Sequence, residues 1–274
     1  MLSERAHIII VPIDSNDQST VALGQSYNLA RLTKSKILLL SIDDGHAKNI
    51  NAHLEELAKE AATKTAQPVE TMIRKGDVYE EINKVADELK PLFIIIGIKK
   101  LEEGHFRGKN ALQMIRKSQH PIISIGGKQH KEACTKILMP LDIGIISREK
   151  VPRTVEIAKL FHSEIHIVSI VTKEETKLEE SKLHMYANQC MKFIKESGLR
   201  SSCKFINTSE DVAQKVIEYG NKIEADLIVI ISNSDISIKE YFTGTAAQRL
   251  INNSEIPVLT LRPIERRDTS QAVF

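Results

Sequence analysis

The sequence predicts two tandem doubly wound α/β domains, and three observations predict it. Short apolar runs without polar alternation, such as Ile8-Ile-Ile-Val-Pro-Ile13 and Leu92-Phe-Ile-Ile-Ile-Gly-Ile98, mark strands covered on both faces, as in a parallel sheet. These runs alternate with longer stretches of helical period, the spacing of βαβ units. The pattern is also written twice. HIIIVPIDSN at 7–16 and KILMPLDIGI at 136–145 share an apolar strand, a proline and a terminal aspartate, so that Asp14 and Asp142 stand 128 residues apart.

Taken in order, the first copy predicts strands at 7–13, 36–42, 69–74, 92–97 and 121–126, with helices near 18–34, 49–66, 78–89 and 109–118. The second copy follows it element by element. ILLLSI (37–42) is answered by IHIVSI (165–170), again at an offset of 128; DVYEEI (77–82) by DVAQKV (211–216) and LFIIIG (92–97) by DLIVII (226–231), both at 134; HPIISI (120–125) by IPVLTL (256–261) at 136. The offset only grows. Its main step falls on the helical segment LEESKLHMYANQCMKFIKES, whose counterpart NINAHLEELAKEAATKT is shorter. Helix ends and loops are where a duplicated domain accepts insertions. The division falls near Lys131, giving domains 1–131 and 132–274.

Composition narrows the function classes. With 42% hydrophobic residues there is ample material for a core, and 38 basic against 36 acidic residues leave a net charge of +2, too weak a field to argue for nucleic acid or an anionic membrane. Arg262, Arg266 and Arg267 lack a reading helix and read as a solvated terminus. Cys134, Cys190 and Cys203 share no CxxC spacing, which excludes a disulfide framework or a zinc site and leaves reduced thiols; His162 and His166 do not share a helical face, so no metal is expected. The two methionines of HMYANQCMKFI read as core. No apolar run approaches the ~20 residues of a membrane helix, and the N-terminus has no signal-peptide h-region, so the expectation is a soluble cytoplasmic protein.

In doubly wound sheets the ligand crevice lies beyond the carboxyl ends of the strands, where the winding reverses. This directs attention to the loops after the first and fourth strands. Neither first loop carries GxGxxG, which excludes a standard dinucleotide site. From Gly104 the first copy reads GxxxGK followed by Asn110, one residue short of a P-loop and without its hydroxyl.

An aspartate ending strand one, Gly76-Asp77 before helix three, a long loop ending in Gly244-Thr245, a helix and a proline-led last strand, in an order repeated over almost the whole chain, resemble a tandem universal stress protein. The resemblance implies five-stranded parallel sheets of order 3-2-1-4-5, akin to the adenine nucleotide α-hydrolase-like fold. It also implies pairing of the domains through their last strands, 120–126 and 256–262, and in some members ATP bound by a G-x-x-G, nine residues, G-S/T loop. There glycines admit phosphates to backbone amides and the strand-one aspartate accepts from the adenine amino group. Copy one keeps Gly97 and Gly108, with Lys100 for the second glycine and Lys109 for the hydroxyl residue; copy two keeps Gly244 and Thr245, with Ile231 and Ser234 for the leading glycines and Ser232 between them. Residues 97–110 carry a net +2 and residues 231–245 a net −1. The candidate ligand-binding residues are therefore Asp14, Gly97, Lys100, Gly108, Lys109, Asp142, Ser232, Ser234, Gly244 and Thr245.

Bland readings stand beside these: Asp14 and Asp142 as turn or helix caps, Gly97 and Gly108 as tight-loop residues, Thr243 or Thr245 as a helix cap, and the lysines as a solvated basic loop. The expectation is a non-enzymatic stress-response or regulatory protein, without catalytic residues and without nucleic-acid or membrane partners. Its two copies pair within one chain and leave room for a protein partner or a homodimer. An ATP or adenylate switch using one copy is the alternative. HxGH and SGGxDS signatures are absent, which argues against nucleotidyl transfer or ATP hydrolysis.

Overall fold

The computed structural model describes residues 5–14, 17–43, 50–98, 112, 114–127, 134–173, 175–231 and 245–263, with backbone alone at Ile50, Ile145, Ile146 and Thr245. The first half comprises β1 (Ala6–Pro12), α1 (Asp17–Thr33), β2 (Lys36–Asp43), α2 (Ile50–Thr65), β3 (Val69–Lys75), α3 (Val78–Leu89), β4 (Pro91–Gly97) and β5 (Ile122–Ile125), with helical backbone at 114–117 before β5. The second comprises β6 (Lys136–Pro140), α4 (Ile145–Phe161), β7 (Glu164–Thr172), α5 (Lys177–Glu196), β8 (Ser201–Thr208), α6 (Val212–Lys222), β9 (Leu227–Ile231), α7 (Thr245–Asn253) and β10 (Val258–Leu261).

The strands form one ten-stranded sheet of order β3-β2-β1-β4-β5-β10-β9-β6-β7-β8. Each half thus has the order 3-2-1-4-5 and is parallel throughout, whereas β5 and β10 meet antiparallel with Ser124 opposite Val258 and Ile122 opposite Thr260. Strand alternation divides the core in two. Ile9, Val11, Phe93 and Ile95 face α1, α2, α4 and α5; Ile8, Ile10, Ile94 and Ile96 face α3, α6, α7 and the 114–117 turn. That two-sided burial is why these strands read as continuous apolar runs.

Helix starts follow local chemistry. Asp77 caps α3 by accepting from the amides of Tyr79 and Glu80, Asp211 caps α6 through Gln214, and Thr176 with Glu179 forms a capping box at α5. Each satisfies amide donors that the first helical turn leaves without partners.

The junction between halves is tied beyond its strand ladder. A Cβ on Gly126 would stand 2.7 Å from the carbonyl oxygen of Ser254, so only glycine lets the two backbones approach there. At the other end of the seam Arg262 Nε donates to Ser118 O at 2.8 Å, and Arg153 Nη1 donates to Arg262 O. Arg262, expected as part of a solvated terminus, instead bridges the halves, because the antiparallel seam sets the end of β10 beside the residues leading into β5. Nearby, Arg5 Nη1 bonds His120 Nδ1 at 2.8 Å, and His120 Nε2 bonds Asp87 Oδ1 at 2.7 Å. A guanidinium only donates, so Nδ1 is the acceptor and the proton sits on Nε2: His120 is neutral. Burial lowers its pKa, Arg5 and Lys90 add to that, and Asp87 opposes it.

The apolar face of α5 is Leu183, Ala187, Cys190 and Ile194. Of the two methionines read as core, Met191 packs at the edge of it and Met185 does not. Met185 is 47% exposed because it points away from the 183-187-190-194 face, whereas Met191, one turn from Ala187, is half-buried at its edge.

Candidate functional site

The winding reverses between β1 and β4 in the first half and between β6 and β9 in the second. These two points define the candidate crevices. They are built differently.

In the first half the first turn of α1 rests against the end of β4. A Cβ on Gly97, at the end of β4, would lie 2.2 Å from Gln18 O and 2.5 Å from Gln18 C. The Gln18 amide Nε2 reaches on to Ile125 O at 3.0 Å and Gly127 O at 2.8 Å. Gly97 is therefore glycine because a helix backbone rests on it, the tight-geometry reading. Asp14 is exposed, and its backbone oxygen accepts from Ser19 Oγ at 3.1 Å.

In the second half Asp142 is buried at 5% exposure. Its amide donates to Ser147 Oγ at 3.1 Å and its Oδ1 accepts from the Gly144 amide at 2.8 Å, while its Oδ2 is buried without a hydrogen-bond partner. The turn-cap reading thus accounts for one carboxylate oxygen and leaves the other. A buried acceptor left unmade costs about 1–3 kcal/mol, so this oxygen is held at a cost that a donor would remove.

Ser147 Oγ also accepts from Lys150 Nζ at 3.2 Å, and Lys150 is fully buried on α4. With both lone pairs engaged, the Ser147 hydroxyl proton points elsewhere. Across the crevice, burial raises the pKa of Glu175, with the carboxylates of Glu179, Asp142 and Glu180 adding to the effect and the Thr172 amide opposing it. The corner formed by Asp142 and Glu175 is acidic and suits a group that donates hydrogens.

Of the sequence-derived candidates, Gly97 lies against α1 and Asp142 in the acidic corner. Asp14 is at the solvent face. Lys100, Gly108, Lys109, Ser232, Ser234 and Gly244 lie outside the described residues, and Thr245 opens α7 with only its backbone described. Ile231, standing where a leading glycine belongs, is 1% exposed and built into the core. Sequence reasoning missed Ser147, Lys150 and Gln18. Ser19 and Ser147 share the 128-residue offset, and Lys150 precedes the fully buried Thr154 and Ala158 at helical spacing, so the signals were present. Among the described residues no group of three or more His, Cys, Asp or Glu is placed to hold a metal ion, and no helix is long and apolar enough to cross a membrane.

Fold and crevices define a paired doubly wound α/β protein with candidate crevices at its topological switch points. Residues 6–125 match the Universal stress protein family. It is 27% identical over 139 residues to Universal stress protein MJ0531 of Methanocaldococcus jannaschii, covering 46% of this chain and 81% of that one. It is 26% identical over 96 residues to Stress response protein NhaX of Bacillus subtilis, covering 35% and 57%. Among solved structures, a universal stress protein from Archaeoglobus fulgidus superposes with a TM-score of 0.72 at 15% identity, covering 94% of this chain and 98% of that one. A functionally unknown protein, PA1789, from Pseudomonas aeruginosa superposes at 0.70 and 20% identity, covering 94% and 93%. At these identities the structures speak for the fold.

Proposed function

We propose that the chain is a non-catalytic regulatory protein of the universal stress type whose second half holds an adenine nucleotide and whose first half is its scaffold. One observation carries this reading: Asp142 presents a buried carboxylate oxygen without a partner at the switch point of the second half. An exocyclic amino group supplies the donor that this oxygen lacks. The first half has no equivalent, since Asp14 is exposed and α1 rests on Gly97. When bound, the nucleotide supplies a phosphate chain for the amides that open α7, where Gly244-Thr245 stands in the sequence.

Calorimetric titration with ATP and ADP, with magnesium, tests the proposal. A hydrogen bond to a charged acceptor is worth about 1.5–3 kcal/mol, so Asp142→Asn weakens binding by about tenfold to a hundredfold, and Asp14→Asn leaves it unchanged. Gly244→Asp abolishes binding while the fold persists. Nucleotide binding that survives both Asp142→Asn and Gly244→Asp refutes the reading, and steady release of ADP and phosphate refutes its non-catalytic part.

A further inference from the structure

The second half carries another concavity, at the rim opposite Asp142. Between the last turns of α5 and the amino ends of β7 and β8 lies a groove of about 710 Å³, inside the range of about 300–1,000 Å³ that small-molecule sites occupy. Its apolar lining comes from the half-buried Met191 and Leu199, over the fully buried Ile165, and its cations from Lys192, Lys195 and Arg200. We propose that this groove binds a single-chain anionic amphiphile, a fatty carboxylate, with its chain on the apolar floor and its head group among the cations.

The charge balance supports an anion. Glu164 is the one acid in the lining, and it is already engaged: His166 Nε2 lies 2.9 Å from Oε1 and Arg200 Nη2 3.2 Å from Oε2. The His166 hydrogen bond, with the charges of His166, Arg200 and Lys136, holds the Glu164 carboxyl below its usual range against the effect of burial. An ionised Glu164 neutralises Arg200, Glu196 partly offsets Lys192, and Lys195 is left uncompensated. Lys192 sits 3.9 Å from Glu196, and Lys195 has no ion-pair partner among the described residues. The nearby end of α5 does not repel an anion strongly, because the amides of Ser197, Gly198 and Leu199 already take its last carbonyls.

The first half serves as an internal control. There Leu38 faces Glu70 across β2 and β3 as His166 faces Ser202 across β7 and β8. At that corner Lys36 pairs with Glu70 at 2.8 Å, and on α2 Lys64 pairs with Glu60. The cations are consumed in place. In the second half Ser202 occupies the position of Glu70, its hydroxyl bonded to His166 Nδ1 at 2.8 Å, and the acid of this corner is Glu164, which is taken by His166 and Arg200 and leaves Lys195 without one.

The test is calorimetric titration of the full chain with sodium dodecanoate, with acetate as a head-group probe and octyl glucoside as a chain probe. Saturable one-to-one binding of dodecanoate is expected, with both probes weaker by about tenfold or more. The charge-reversed variant Lys195→Glu changes an exposed residue without an ion-pair partner among the described residues, so it keeps the melting curve and loses about tenfold in dodecanoate affinity. Leu199→Asp weakens binding as well, and ATP titrations are unchanged in both variants, which separates this site from the nucleotide crevice. Absence of saturable dodecanoate binding, equal binding of octyl glucoside, or undiminished binding by the charge-reversed variant overturns the proposal.

Discussion

Replacing Gly97 by alanine separates packing from ligand binding at the one phosphate-loop glycine of the first half within the described residues. The added Cβ meets Gln18 O at 2.2 Å, Gln18 C at 2.5 Å and Gln18 Cγ at 2.8 Å. Unstrained carbon contacts begin at about 3.5 Å, so the first turn of α1 must retreat by about 1 Å. Two of the three atoms are backbone, and no rotamer change relieves them. Overpacking of this kind costs about 1–3 kcal/mol. The retreat also strains the Gln18 amide bonds to Ile125 O and Gly127 O, each worth about 1 kcal/mol. The expected loss is about 3–5 kcal/mol in urea unfolding followed by circular dichroism, a large part of the stability of an ordinary domain. Gly198→Ala provides the scale: Gly198 has φ +83 with nothing within 4 Å of its Cβ position, so only the left-handed backbone is penalised, at about 1–2 kcal/mol. A Gly97→Ala protein as stable as the parent but unable to bind nucleotide would show that the glycine serves a ligand, and the packing argument would fall.

Acid should loosen the junction through His120. Its folded pKa lies below the unfolded value of about 6.5, so its contribution is complete above that pH and is lost as pH falls through the folded pKa; His120→Gln should flatten this part of a stability-versus-pH curve. Burial pushes Cys134 up to about 12 and Cys203 up to about 11, and also raises Cys190. At about pH 8 iodoacetamide should therefore modify the native chain far more slowly than the urea-unfolded chain, as mass spectrometry would show; rapid native labelling contradicts the burial. Asp77→Ala removes the acceptor for two amides at the start of α3 and should cost about 1 kcal/mol in the same urea assay.

The fold was legible because the signals that matter are local and doubled. Ile8–Ile10 and Phe93–Ile96 have both faces buried, so their apolar runs had no polar interruption to misread, and Asp77 marks the start of α3 at Val78, where the structure begins it. The site was less legible, because its determinants join residues distant in sequence. Gly97 looked like half of a phosphate loop, and only the approach of Gln18, from the far side of β1, explains it. Lys150 stands where the first copy has Ala22, and no local rule says that a lysine between Ser147 and Thr154 is fully buried. Arg262 sits near the chain's end, and its partner Ser118 is 144 residues away.

The antiparallel seam between β5 and β10 also has an electrical consequence. Within each half the strands run parallel, so the connecting helices return in a common direction and their dipoles add. Across the seam that direction reverses. The summed dipole of one half opposes that of the other, and with a net charge of only +2 little far field remains to pull in a charged molecule. Capture at either rim then rests on the few groups within a Debye length, about 8 Å at physiological salt, so association rates should respond only weakly to ionic strength.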